Sequence, residues 1–193
     1  MSDTKNLRGF LPARKRGSGT NSTGVDELPI ASGDARSIFT GDLVKTSLGN
    51  IEPVSADADF AVGVFQGVFY EADGEPKFSQ YWPANTSASN IKAMVDTNPA
   101  STYFIQADAS LSAGDINQLN FGLTLGTGST FTGNSGFGIK ASTRATTILP
   151  VRPIGVEDVP GNDIAVSAER AFPVVEVRIV KHVDAKLSAP SGI

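Results

Sequence analysis

The sequence predicts an all-β protein, a barrel or sandwich of short strands with long loops and an extended N-terminal arm. Two observations carry that expectation. Apolar residues recur with period two over runs of four to eight, and turn residues close nearly every run. Helical periodicity is almost missing, with Ser89–Asp96 and Ser112–Leu119 the two stretches that read as possible helical turns.

The elements follow in chain order. GSGTNSTG (Gly17 to Gly24) has no apolar residue and reads as linker. SIFTGDLVKTS (Ser37 to Ser47) reads as two strand pieces broken at Gly41-Asp42. AVGVFQGVFYEADG ends in the turn signal Asp73-Gly74 and is followed by KFSQYW, so residues 62–82 read as a hairpin. Gly63 and Gly67 inside it predict a close backbone approach or a bulge. IKAMVDTNP (Ile91 to Pro99) fits a strand or one helical turn, stopped by Asn98-Pro99. TYFIQAD (Thr102 to Asp108) is a strand with Tyr103, Ile105 and Ala107 on one face. LSAGDINQL (Leu111 to Leu119) reads as a helical turn. The Gly/Thr/Ser-rich stretch from Asn120 to Thr147 reads as loops and short β-edges. ATTILPVRPIG (Ala145 to Gly155) and PVVEVRIVKHV (Pro173 to Val183) complete the strands. In the latter, Val175, Val177 and Ile179 face one way and Glu176 and Arg178 the other.

Charge divides the chain. Residues 1–25 hold Lys5, Arg8, Arg14, Lys15 and Arg16 against Asp3 alone, a net +4, so the remainder carries −8 of the overall −4. A basic flexible arm (residues 1–28) on an acidic β-rich domain (residues 29–193) is the expected organisation. Such an arm, lacking its own hydrophobic core, is expected to order on a partner with Arg14, Lys15 and Arg16 against acidic groups. Direct nucleic-acid binding is not expected, because the body repels it and no aromatics interleave with the basic cluster. No apolar run reaches the roughly 18 residues of a membrane span, and the N-terminus has no h-region of a secretory signal.

Motifs for chemistry are sparse. The chain has no cysteine and one histidine, His182, which is expected at the surface of the last strand. There is no G-x-S-x-G elbow, and a zinc site built on one histidine and no thiolate is not expected. GTGSTFTGNSGFG lacks the phosphate-loop order and reads as a glycine-rich β loop. Asp57/Asp59 and Asp158/Asp163 lack the calcium-loop pattern. No cofactor and no enzymatic activity are expected, although a carboxylate pair for glycoside hydrolysis is defined in space rather than in sequence.

That leaves the aromatic segment FAVGVFQGVFYEADGEPKFSQYWPA (Phe60 to Ala84), with the only tryptophan and two of the three tyrosines. Tyr70, Tyr81 and Trp82 are its candidates for partner contact. Tyr81 and Trp82 must point to opposite sides of a strand. Trp82, just before Pro83, is expected at a sheet margin facing the partner, with Tyr81 in the core.

The order of features resembles that of a known class. GDLVKT precedes AVGVFQGVFYEADGEPKFSQYWPANT, then IKAMVDTNPASTYFIQAD, a loop with GNSGFGI, VRPIGVEDVPGND and a closing VEVRIVKHV. Across residues 35–183 this resembles the capsid decoration, or cement, proteins of tailed bacteriophages. The resemblance implies a non-enzymatic virion protein, made in the host cytoplasm, on the outer surface of an icosahedral head. It also implies the major capsid protein and neighbouring copies of itself as partners, with no membrane. The basic arm has no counterpart in that resemblance. The other reading is a receptor- or carbohydrate-binding virion module with Tyr70, Tyr81 and Trp82 as its platform.

Overall fold

A computed structural model of the chain describes residues 4–15, 25–159, 162 and 171–185. Among them the protein is all-β, in three antiparallel sheets. The first has the order β1 (Leu11–Lys15), β10 (Ser101–Gln106), β14 (Val174–Ile179), β13 (Val151–Val156), β11 (Asn120–Gly126), β12 (Gly136–Ala145). Just past β10, Ala107 forms a parallel bridge with Ile139 of β12, and the Asp108 amide donates to the Ile139 carbonyl at 2.9 Å. This sheet therefore curls nearly into a barrel. The second sheet runs β2 (Asp26–Leu28), β9 (Ser89–Asp96), β6 (Gly63–Ala72), β4 (Leu43–Ser47), β5 (Asn50–Pro53), with β7 (Glu75–Ser79) also on β6. The third is the pair β3 (Ile38–Phe39) and β8 (Tyr81–Trp82).

Two cores result, and β4 and β6 lie between them. Leu43 and Val64 belong to the core of the curled sheet, with Phe10, Tyr103, Phe121, Ile139 and Val177. Their neighbours Val44 and Phe65 belong to a second core with Ile38, Tyr70 and Trp82. Adjacent strand residues face opposite ways, so a strand buried on both sides must be apolar throughout. That is why Gly63, Val64 and Phe65 are buried in succession rather than alternately, whereas Gln66, within the register shift, is only partly buried.

Glycine makes that strand possible. A Cβ on Gly63 would collide with the Asp96 carbonyl of β9. Between Phe65 and Gly67 the β6–β9 register shifts, the bulge that Gly67 suggested. Asp73 (φ 58°) and Gly74 (φ 77°) both take positive φ and close the two-residue turn of the expected β6–β7 hairpin.

Several expectations change. Ser89–Asp96 is the strand β9, and the stretch from Ser112 keeps only one 3-10 turn, Ala113–Asp115. The Asn120–Thr147 stretch contains two long paired strands rather than short edges. Its alternation is hidden because Gly122 and Gly138 occupy the face opposite Phe121, Leu123, Phe137 and Ile139. A Cβ on Gly122 would strike the Asp57 carboxylate, and one on Gly138 would come within 2.6 Å of Leu7. His182 is not on the surface. β14 ends at Ile179, and His182 bridges Ala61 and is buried. Burial lowers its pKa, only partly offset by Asp184.

The aromatic assignment inverts. Tyr81 and Trp82 do face opposite ways, but Trp82 is 0% exposed and packs edge-on against Tyr70 at 5.3 Å. Tyr81 is half-buried, stacked on Phe39 at 5.4 Å. Pro83 does end the strand. The end of a strand, however, is not the edge of a core, because β3 pairs across Trp82 and Ile30 and Ile38 belong to the same core.

Trp82→Ala should therefore destabilise the free subunit by about 3–5 kcal/mol. Tyr81→Ala should cost only about 1–2 kcal/mol, mostly its stacking contact. Urea unfolding of the two variants checks this, and equal losses would contradict it.

Candidate functional site: the N-terminal strap and the loops around it

The N-terminal segment is a strap on the body over residues 4–15. The Asn6 amide donates to Gln106 Oε1 at 2.7 Å, and Gln106 Nε2 donates to the Thr4 and Phe172 carbonyls. The Gly9 amide reaches the Phe137 carbonyl at 3.0 Å, and the Phe10 amide the Gly41 carbonyl at 2.9 Å. Gly9 has φ 73°, and a side chain there would collide with Gly41 and Ser135. Glycine alone allows this crossing. Immediately after it, Phe10 plugs the first core, edge-on to Tyr103 at 5.8 Å. β1 then pairs with β10, with a register shift between Pro12 and Arg14.

This corrects the expected arm. Residues 4–15 dock on their own domain and contribute a core residue, and residues 26–28 are a strand on β9. Arg14 finds its acid within the chain. Its Nε and Nη2 donate to the buried Glu176 carboxylate at 2.7 and 2.5 Å, and this raises its own pKa. The Thr102 hydroxyl lies 2.7 Å from Glu176 Oε1 and 2.9 Å from the Arg14 carbonyl, so one proton serves two acceptors. Lys15 sits in the β1 ladder opposite Ser101. Arg16 lies outside the described residues, as do Asp163 and the whole linker from Gly17 to Gly24.

The five described sequence candidates do not form one patch. Tyr70 and Trp82 are inside the second core, Tyr81 is outside it on Phe39, and Arg14 and Lys15 lie on the first sheet's edge strand. Other cations are also engaged. Arg36 bridges Asp34 and Glu52, and Lys45 reaches Glu52 and Asp59 at 3.3 and 2.9 Å. Burial acts to raise the Asp59 pKa. The Ser55 and Ala56 amides, the Ser55 hydroxyl and Lys45 outweigh it and hold the carboxyl at about 2. Asp57, set aside as a calcium ligand, accepts the Leu123 amide at 2.8 Å. Among the described residues no three His, Cys, Asp or Glu side chains gather where a metal ion could sit.

The residues that stand out were not among the candidates. Asp42 is buried beneath the strap crossing, where Oδ2 accepts the Phe39 amide at 2.7 Å. Burial pushes its pKa up to about 6 against the hydrogen bonds from Phe39 and Ser135. Leu48, at the β4–β5 turn, is 100% exposed with φ 49°. Phe131, in the β11–β12 loop, is 97% exposed. Its signal was legible, since a lone phenylalanine among Thr, Gly and Ser has no apolar face to join. No family model matches the chain, and neither a curated protein nor a solved structure does.

Two outcomes follow. Folded Asp42 keeps its proton to about pH 6, whereas the unfolded chain releases it near the ordinary 3.8. Between these values the folded state binds the extra proton, so this group's contribution falls as pH rises, by on the order of 3 kcal/mol in full. The stability of the wild type relative to Asp42→Asn should drop by about that much from pH 3.5 to 7, and a constant difference would refute the assignment. Arg14→Ala leaves the buried Glu176 carboxylate without its guanidinium. Faster hydrogen exchange should then appear along β1 and β10 and not in β6–β9, with uniform protection as the contrary result.

Proposed function

We propose that this protein is a non-enzymatic virion component that binds the outer surface of an icosahedral phage head and stabilises contacts between major capsid subunits. The order of sequence features from Gly41 to Val183 suggested that class, and the all-β fold agrees with it.

The observation that carries the reading is Leu48. A positive φ costs a β-carbon-bearing residue about 1–2 kcal/mol, which is why Asn and Gly dominate such turns. Leucine there is wrong for the turn and, fully exposed, contributes nothing to a core. Local rules are broken most readily at functional positions. Phe131 repeats the exposure, though not the positive φ, on a second loop, and Phe78 on β7 is 66% exposed. Apolar anchors on separate loops suit a subunit that touches a shell at several points, where modest contacts are multiplied by valency. The carbohydrate-platform reading loses its support, since two of its three rings are in the core.

Mixing the purified protein with expanded heads that lack it, then sedimenting, should give saturable binding at hundreds of copies per head. Leu48→Asn should raise the melting temperature of the free subunit and lower its affinity for heads about thirtyfold, the loss of one 2 kcal/mol anchor. No co-sedimentation would overturn the proposal, and so would binding that Leu48→Asn leaves unchanged.

A further inference from the structure

Arg8 stands apart from the other arginines. Among the described residues, Arg14 holds Glu176, Arg36 holds Asp34 and Glu52, and Arg144 reaches Asp115, whereas the Arg8 guanidinium takes no hydrogen bond or ion pair. It lines two clefts beside the strap. One, of about 340 Å³, contains Glu157 and so brings its own carboxylate. The other, of about 350 Å³, lies between the strap and the β11–β12 loop, and no acidic residue lines it.

The second cleft combines a cation with hydroxyl donors and has no carboxylate of its own. The Ser129 hydroxyl oxygen already accepts the Thr132 amide, and the Thr132 hydroxyl oxygen accepts the Asn134 amide, both at 3.3 Å. Each hydroxyl therefore has its proton left to give. Ser135 is spent, because its oxygen takes the Phe137 amide and its hydroxyl serves Asp42. The side-chain amide of Asn134 adds donors on the same wall. A planar guanidinium beside hydroxyl donors matches a carboxylate, which accepts through two oxygens and donates nothing.

We propose that this cleft binds the carboxylate of an acidic polypeptide segment, held by Arg8 and the Ser129 and Thr132 hydroxyls, with Phe131 covering an adjacent apolar residue. Phe131 lies on the same loop, between two of the hydroxyl residues, and is almost wholly exposed. Leu7 adds an apolar residue to the same lining. That second, apolar point is what favours a peptide over a small free carboxylate. The partner is taken from the shell reading above, but the chemistry is tested without a shell.

The test is a heteronuclear NMR titration of the full chain with the blocked tripeptide acetyl-Leu-Asp-Leu-amide. Its asparagine analogue and sodium acetate serve as comparisons. The acidic peptide should shift the amide resonances of residues 129–134 saturably, at least tenfold more tightly than the analogue. Arg8→Gln should weaken it at least tenfold, and Phe131→Ser severalfold, with melting temperatures unchanged. Equal affinity for the asparagine peptide, or full affinity in Arg8→Gln, would overturn the proposal. Acetate binding as tightly as the peptide would overturn the polypeptide part. Since no heads are used, failure here leaves the shell reading standing, and failure of head binding leaves the cleft standing.

Discussion

The fold depends on β6 being buried on both faces. Val64 points into the curled sheet's core and Phe65 into the second core, so one strand joins two hydrophobic clusters that would otherwise be independent. Placing a strand there removes its backbone from water as well, and every buried amide and carbonyl must then find a partner. β9 supplies one side of the ladder, while β4 and β7 divide the other. The closeness of β9 at Asp96 leaves no room for a Cβ at Gly63, and the bulge before Gly67 changes the register so that Val68 and Tyr70 join the second core. Trp82 and Ile38 exist to cover what β6 exposes on that side.

Around this rigid centre the charges are largely consumed in holding pieces together. Glu176, on the outer face of β14, is a buried carboxylate that Arg14 and Thr102 satisfy. Asp42 has no cation partner among the described residues, and its burial is tolerated because it can stay protonated below about pH 6 and takes amide and hydroxyl donors when ionised. Both acids lie under the strap. The strap thus joins covalently distant parts, and its contribution to the fold is electrostatic at one end and apolar, through Phe10, in the middle.

Much of this architecture was legible in the amino acids. Asp73-Gly74 identified its hairpin because few other pairs accept two consecutive positive φ values. Tyr103, Ile105 and Ala107 identified a face because nothing interrupted their spacing. What was hidden depended on third parties. Whether Tyr81 or Trp82 goes inside is decided by β3, more than forty residues earlier, which no local pattern announces. The β11–β12 strands were hidden by glycines whose missing side chains make room for Asp57 and Leu7. His182 reads as a surface residue only if the last strand continues past Ile179, and β14 ends there. At the candidate site the sequence pointed to the charged and aromatic residues, and those proved to be the residues folding uses.

Edge protection gives a reason for that misdirection. A curled sheet whose β12 meets the end of β10 has β1 as its open flank, with unpaired backbone groups available to any other strand. Proline, arginine and lysine on an edge strand deter such pairing, and β1 reads Leu-Pro-Ala-Arg-Lys. β7, also on an outer flank, reads Glu-Pro-Lys-Phe-Ser and repeats the device. The basic cluster is therefore explained by the sheet it borders without invoking a partner. A partner site is better sought where folding has no use for the residue present: a leucine in a turn that disfavours it, a phenylalanine in solvent, an arginine with no acid. Those three lie on loops and on the strap, and a scaffold that positions loops rigidly lowers the entropy lost when they bind.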